Sequence, residues 1–104
     1  MKMYICVKKD VPDNFVPVIC AHAGMIAAFD FAEHPNFKLW RQISFKKCVV
    51  AVNEKEWEKA KQEPDYTILT ESNLGGREVA MVFCPRHEWP KVFQFMQLWK
   101  PQNV

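Results

Sequence analysis

The sequence predicts a three-layer α/β/α domain with helices on both faces of a mixed four-stranded sheet. Three observations predict it. Four short apolar runs of strand length, 3–7, 45–52, 66–71 and 79–84, alternate with segments of helical spacing. Two strand–helix–strand crossovers favour parallel pairing. Asn73-Leu74-Gly75-Gly76 then marks a hairpin turn, which makes the last strand antiparallel to the third.

Residues 3–7 read as a buried strand, followed by the polar turn Lys8-Lys9-Asp10 and by Val11-Pro12-Asp13-Asn14. Asp13 or Asn14 is a good helix N-cap, and Pro17 falls in the first turn, where a missing N–H costs little. This first helix runs to about residue 33 and Pro35 stops it. It is apolar nearly all round, so cover on more than one side is expected. Residues 36–44 form a short amphipathic helix with Phe37, Leu39, Trp40 and Ile43 on its apolar face. After the second strand, Asn53 caps a helix with Glu56 as its capping-box partner. Trp57 and Ala60 are its thin apolar face. Residues 79–84 are continuously apolar, the pattern of a central strand buried on both faces. Residues 88–99 read as a last helix, with Val92, Phe93, Met96 and Trp99 on its core face.

A chain of 104 residues makes one domain, 1–104, with room for a core that needs no staples. The net charge of +2 permits an anionic partner without demanding one. Four Trp and eight Phe exceed the needs of one small core, and this surplus, with the all-round apolar helix, predicts a homodimer. Cys6, Cys20, Cys48 and Cys84 form no C-x-x-C pair, and no histidine stands at metal-finger spacing, so reduced thiols and no metal are expected. The longest apolar run, 15–32, contains Pro17 and His22 and reads as a buried helix rather than a membrane span. With no signal-peptide pattern, a cytoplasmic setting is expected.

Cys20-Ala21-His22-Ala23 is the most informative stretch. A histidine near the start of a helix that follows a strand sits where α/β proteins build ligand sites. Cys20 and His22 do not make a nucleophile–base pair, because residues two apart on a helix point about 200° apart. The neighbours of His22 on its own helix, Val18, Ile19, Met25 and Ile26, are apolar, so its ring partners come from another element or from solvent. If the first and third strands are parallel, their carboxyl ends share one edge. Glu71, Asn73, Lys8, Lys9, Asp10 and the start of the His22 helix would then surround one crevice. An imidazole and a carboxylate there can orient or deprotonate a water, and lysines can hold a phosphate. Alternatively, His22 is a core residue bonded to one carbonyl. Gly75-Gly76 is a turn and no phosphate loop. His34 and His87 stand at helix ends and read as caps.

Lys8-Lys9-Asp10-Val11 and Cys20-Ala21-His22-Ala23 resemble the strand-end turn and the helix motif of the archaeal- and eukaryotic-type peptidyl-tRNA hydrolases. In that family a strand leads to an Arg/Lys-x-Asp-Leu turn and then to a helix reading Gly-Lys-x-Ala-Ala-Gln-Cys-x-His-Ala. The resemblance covers most of the chain in element order, with motif-grade similarity over 8–28. It implies the peptidyl-tRNA hydrolase II-like fold, in which the first and fourth strands are central. It also implies hydrolysis of the ester between a peptide, or an N-blocked aminoacyl group, and tRNA, without a cofactor. Carried over by position, His22, Glu71 and Asp10 are the catalytic candidates, with Lys8, Lys9, Asn73 and Arg77 binding peptidyl-tRNA. The family's helix lysine falls on Phe15 and its glutamine on Ile19. Glu71-Ser72-Asn73-Leu74-Gly75-Gly76-Arg77 replaces its Asp-Ala-Gly-Arg-Thr-Gln segment. These replacements support the alternative, a non-catalytic module on the same fold that binds tRNA, a nucleotide or a protein.

Overall fold

The apolar run nearest the amino end becomes the middle of the sheet. β1 (Lys2–Lys8) buries its five inner residues, which alternate between the two faces. The structure is a computed structural model and describes residues 1–102. The other strands are β2 (Lys46–Val52), β3 (Tyr66–Glu71), β4 (Arg77–Phe83) and β5 (Gln97–Leu98), arranged β3-β4-β1-β2-β5. β1 is parallel to β2 and antiparallel to β4, β4 is antiparallel to β3, and β5 is antiparallel to β2. β1, β2 and β3 therefore point the same way, and their carboxyl ends share one edge.

Helices cover both faces, as the sequence predicts. Met3, Ile5 and Val7 face α1 (Val16–Asp30) and α2 (Pro35–Ile43), packing with Val16, Ile19, Ala23, Ala27, Phe37 and Trp40. Tyr4 and Cys6 face α3 (Glu54–Ala60) and α4 (Lys91–Phe95), packing with Trp57, Ala60 and Phe93. Phe83, Trp89 and Phe93 form a cluster of tilted and edge-on rings with Tyr4, at centroid distances of 4.7–5.7 Å. Asn53 and Glu56 make the expected capping box of α3, with bonds of 2.8 and 3.0 Å. His34 caps α2, its Nδ1 accepting from the Asn36 N–H at 3.1 Å. His87 is exposed and caps no helix, since Pro90 precedes α4. Gly75 and Gly76, at φ 74° and 73°, turn the chain from β3 into β4 in a conformation that a side chain would strain.

Two further expectations are corrected. The sheet has five strands, not four, because 88–99 is not one helix. α4 spans only Lys91–Phe95, and Gln97–Leu98 instead pairs with Ala51 and Val50 on the open side of β2. Strand hydrogen bonding there outweighs the helical spacing that ends at Trp99, whose N–H donates to the Val49 carbonyl at 2.8 Å. Neither Asp13 nor Asn14 caps α1: both lie in a 3-10 turn, Asp13–Phe15, that leads into the helix. Within the single chain, Val18, Met25 and Phe29 of α1 stand 43%, 63% and 75% exposed. Among the described residues no helix is long and apolar enough to cross a membrane.

One irregularity shapes the shared edge. Leu69 pairs with Ala80 but Thr70 pairs with Glu78, so Val79 is an extra residue in β4. Val79 packs in the same core cluster as Ala80 and Val82, on the α1 side. Beyond the bulge the alternation is therefore inverted, and Arg77 shares the α1 side with its cross-strand partner Glu71. A regular strand would turn Arg77 to the α3 side.

Candidate functional site

The carboxyl ends of β1 and β3 meet through an ion pair. Val11 N–H closes the turn onto the Lys8 carbonyl at 3.1 Å, and buried Val11 anchors it. Asp10 thereby faces Arg77, whose Nη1 and Nη2 donate to the two carboxylate oxygens at 2.9 and 3.1 Å. Hydrogen bonding from this guanidinium holds the Asp10 carboxyl below the usual carboxylate range, and Asp10 in turn raises Arg77. The bulge at Val79 makes the pair possible, a feature that no local pattern in the sequence marks.

Glu71 ends β3 and is the one buried polar or charged residue among those described, at 7% exposure. Its Oε2 accepts from the Asn73 N–H at 3.0 Å, capping the 3-10 turn Ser72–Leu74. Its own carbonyl accepts from Gly76 N–H at 2.9 Å, which closes the turn. Oε1 has no hydrogen-bond partner among the described residues.

His22 lies on the same side of the sheet. Thr67 Oγ1 donates to Asp30 Oδ2 at 2.6 Å, which fixes the end of α1 beside the start of β3. Glu71 is four residues further along β3, roughly 13 Å at strand rise. The same height on the antiparallel α1 is roughly nine residues at helical rise, which reaches Ala21 and His22. His22 occupies the flank of α1 turned away from α2, since Cys20, Gly24 and Ala28 line the α2-facing side. Its side chain is exposed and makes no hydrogen bond or ion pair among the described residues, so it is no core histidine.

The remaining candidates separate. Lys8 turns to the other face, where Nζ lies 3.3 Å from Glu54 Oε1 and 4.6 Å from the centre of the Trp57 ring. The alternation of β1 fixes this, and Glu54 and Trp57 were not anticipated as its partners. Lys9 is exposed, has no side-chain partner among the described residues, and bonds only through its N–H to the Val52 carbonyl. Asn73 is exposed on the turn. Phe15 is half-buried at the start of α1, and Ile19 is a core residue at 1% exposure. All four cysteines are free thiols, and no group of three metal-binding side chains occurs among the described residues.

Comparison with protein-family models and with curated proteins finds no match to this chain.

Proposed function

We propose that the chain is a divergent peptidyl-tRNA hydrolase-like protein that cleaves the ester between a peptide or N-blocked aminoacyl group and tRNA. The observation that carries the reading is the gathering of Asp10, Glu71 and Arg77 on one side of one sheet edge, level with His22. The inner position of β1 and β4 agrees with the fold that the resemblance implies. In this reading the free Oε1 of Glu71 orients a water and His22 Nε2 or Nδ1 takes its proton. The oxygen adds to the ester carbonyl carbon, and the bond to the ribose oxygen breaks. His22 returns the proton to that oxygen, leaving a free ribose hydroxyl and a peptide carboxylic acid, which releases its own proton to solvent. Asp10 and Arg77 neutralise each other and set the shape of the edge. Lys9 is then the one unpaired cation among Lys8, Lys9 and Arg77, so affinity for tRNA should fall with salt at a log–log slope near −1. The deciding experiment incubates purified protein with N-acetyl-aminoacyl-tRNA. Release of free tRNA above the buffer rate is expected, and no release would refute the assignment.

A second reading rests on the exposed stripe of α1. Val18, His22, Met25 and Phe29 follow the 4-3-4 spacing of a helix-pairing seam. A non-catalytic homodimer joined along this stripe would cover His22. Sedimentation then shows twice the 12.2 kDa chain mass, and Phe29→Glu returns the monomer. A monomer in the unaltered protein excludes this reading.

A further inference from the structure

A groove of about 1250 Å³ separates α1 from α2 on the face of the sheet, away from the edge that carries Glu71. Met3 and Ile5 of β1 form its floor, and Phe37, Trp40 and Phe45 form its apolar wall. Its charged lining is of one sign only, Lys38, Arg41 and Lys47. Lys38 is paired with Glu33 at 3.1 Å, whereas Arg41 has no side-chain partner among the described residues. Lys47 Nζ donates to the Phe45 carbonyl at 2.7 Å and lies 3.3 Å from the centre of the Phe45 ring. Partial burial lowers the Lys47 pKa. The opposite wall is made of small residues. Gly24 lies in mid-helix, where glycine is less favourable than alanine. A Cβ built there would meet no atom within 4 Å, so nothing in the chain itself needs a glycine at this point. Phe45 holds φ 60°, in the left-handed region, and presents an exposed ring to the groove.

We propose that this groove binds an amphipathic monoanion, a medium-chain fatty carboxylate. Its tail lies along the bare wall of Ala21, Gly24 and Ala28, and its head lies between Arg41 and Lys47. The charge pattern selects the ligand class: an apolar trough with cations and no lined carboxylate suits a single negative head on a hydrocarbon tail. From Cys20 to Ala28 the wall runs roughly 12 Å at helical rise, which accommodates most of an extended medium-chain acyl tail. The proposal is independent of the hydrolase reading, because none of these residues belongs to that site.

The test is calorimetric titration with dodecanoate below its aggregation concentration, alongside dodecanol. Saturable one-to-one binding of dodecanoate, about tenfold or more tighter than dodecanol, is expected from a charge-assisted contact. Gly24→Phe fills the groove from a position with open space and should weaken dodecanoate about tenfold or more. Arg41→Gln combined with Lys47→Gln should bring dodecanoate down to the affinity of dodecanol. If Gly24→Phe fails to fold, Ala28→Trp makes the same test from the same wall. Absence of saturable binding overturns the proposal, as do equal affinities for acid and alcohol, or binding indifferent to the groove-filling variants. A change of sedimentation mass with Gly24→Phe also overturns it, because the groove would then be occupied by a second copy of the chain.

Discussion

His22→Ala separates chemistry from folding unusually well in this protein. The imidazole is exposed and holds no partner among the described residues, so its removal opens no cavity and orphans no polar group. Stability should change by less than about 0.5 kcal/mol, as at ordinary surface positions. Alanine's stronger helix preference offsets part of even that loss. A lost general base, by contrast, lowers the rate about a hundredfold, equivalent to about 2.7 kcal/mol in the barrier. Single-turnover cleavage of N-acetyl-aminoacyl-tRNA, measured beside a denaturant melt of the same sample, gives both quantities. The expected result is an unshifted melt with the rate down a hundredfold. An active wild type whose rate survives His22→Ala would refute the role of this side chain. Phe15→Lys approaches the site from the other direction. Phe15 is half-buried, so the substitution should cost about 1–2 kcal/mol of stability while raising the cleavage rate. A folded Phe15→Lys variant with an unchanged rate would show that the helix start does not face the substrate.

Three further outcomes follow from the geometry. Asp10 has its folded pKa depressed by Arg77, so the pair's contribution is full above the ordinary carboxylate value and is lost as pH falls through the lower folded one. Asp10→Asn should therefore cost about 0.2–1 kcal/mol at neutral pH, with the difference from wild type vanishing in strong acid. A difference independent of pH would contradict the pair. Phe83→Ala should cost about 3–5 kcal/mol in chemical unfolding, since the ring is fully buried against Tyr66, Trp89 and Phe93. A cost under about 1 kcal/mol would mean that the cluster repacks. Burial pushes the Cys6 and Cys84 thiols up to about 12, and it also raises Cys20. Alkylation at about pH 8 should therefore reach half-buried Cys48 first, Cys20 slowly, and Cys6 and Cys84 only on unfolding. Early labelling of Cys6 would show that the sheet opens.

Elements whose signals are local were legible in the sequence. β3 falls at its expected bounds, and α3 carries its capping box, because alternation and caps are written within a few residues. The shared edge of β1 and β3 was legible too, since strand directions follow from the crossovers and from one hairpin. What escaped depends on distant parts of the chain. Gln97 and Leu98 have helical spacing around them, but the unpaired groups of β2 lie about fifty residues away in sequence, and they decide the outcome. The bulge at Val79 carries no Gly or Pro to mark it, so the side to which Arg77 turns was hidden. The apolar composition of α1 reads as a helix to be covered, yet its tertiary packing covers one side only and leaves a groove and an exposed stripe on the others.

The two-residue strand β5 also limits how the molecule can assemble. It occupies the outer hydrogen-bonding groups of β2 at Val50 and Ala51, with Trp99 closing on Val49. The sheet therefore ends in β3 on one side and in a strand of only two residues on the other. Growth of a continuous sheet from copy to copy needs two open sides on every molecule, one to accept and one to be accepted. A two-residue edge offers few groups for another strand to pair with, so edge-to-edge joining through β3 favours a closed pair over a fibre. Two residues that add little to the core thus bias association of this chain toward finite assemblies.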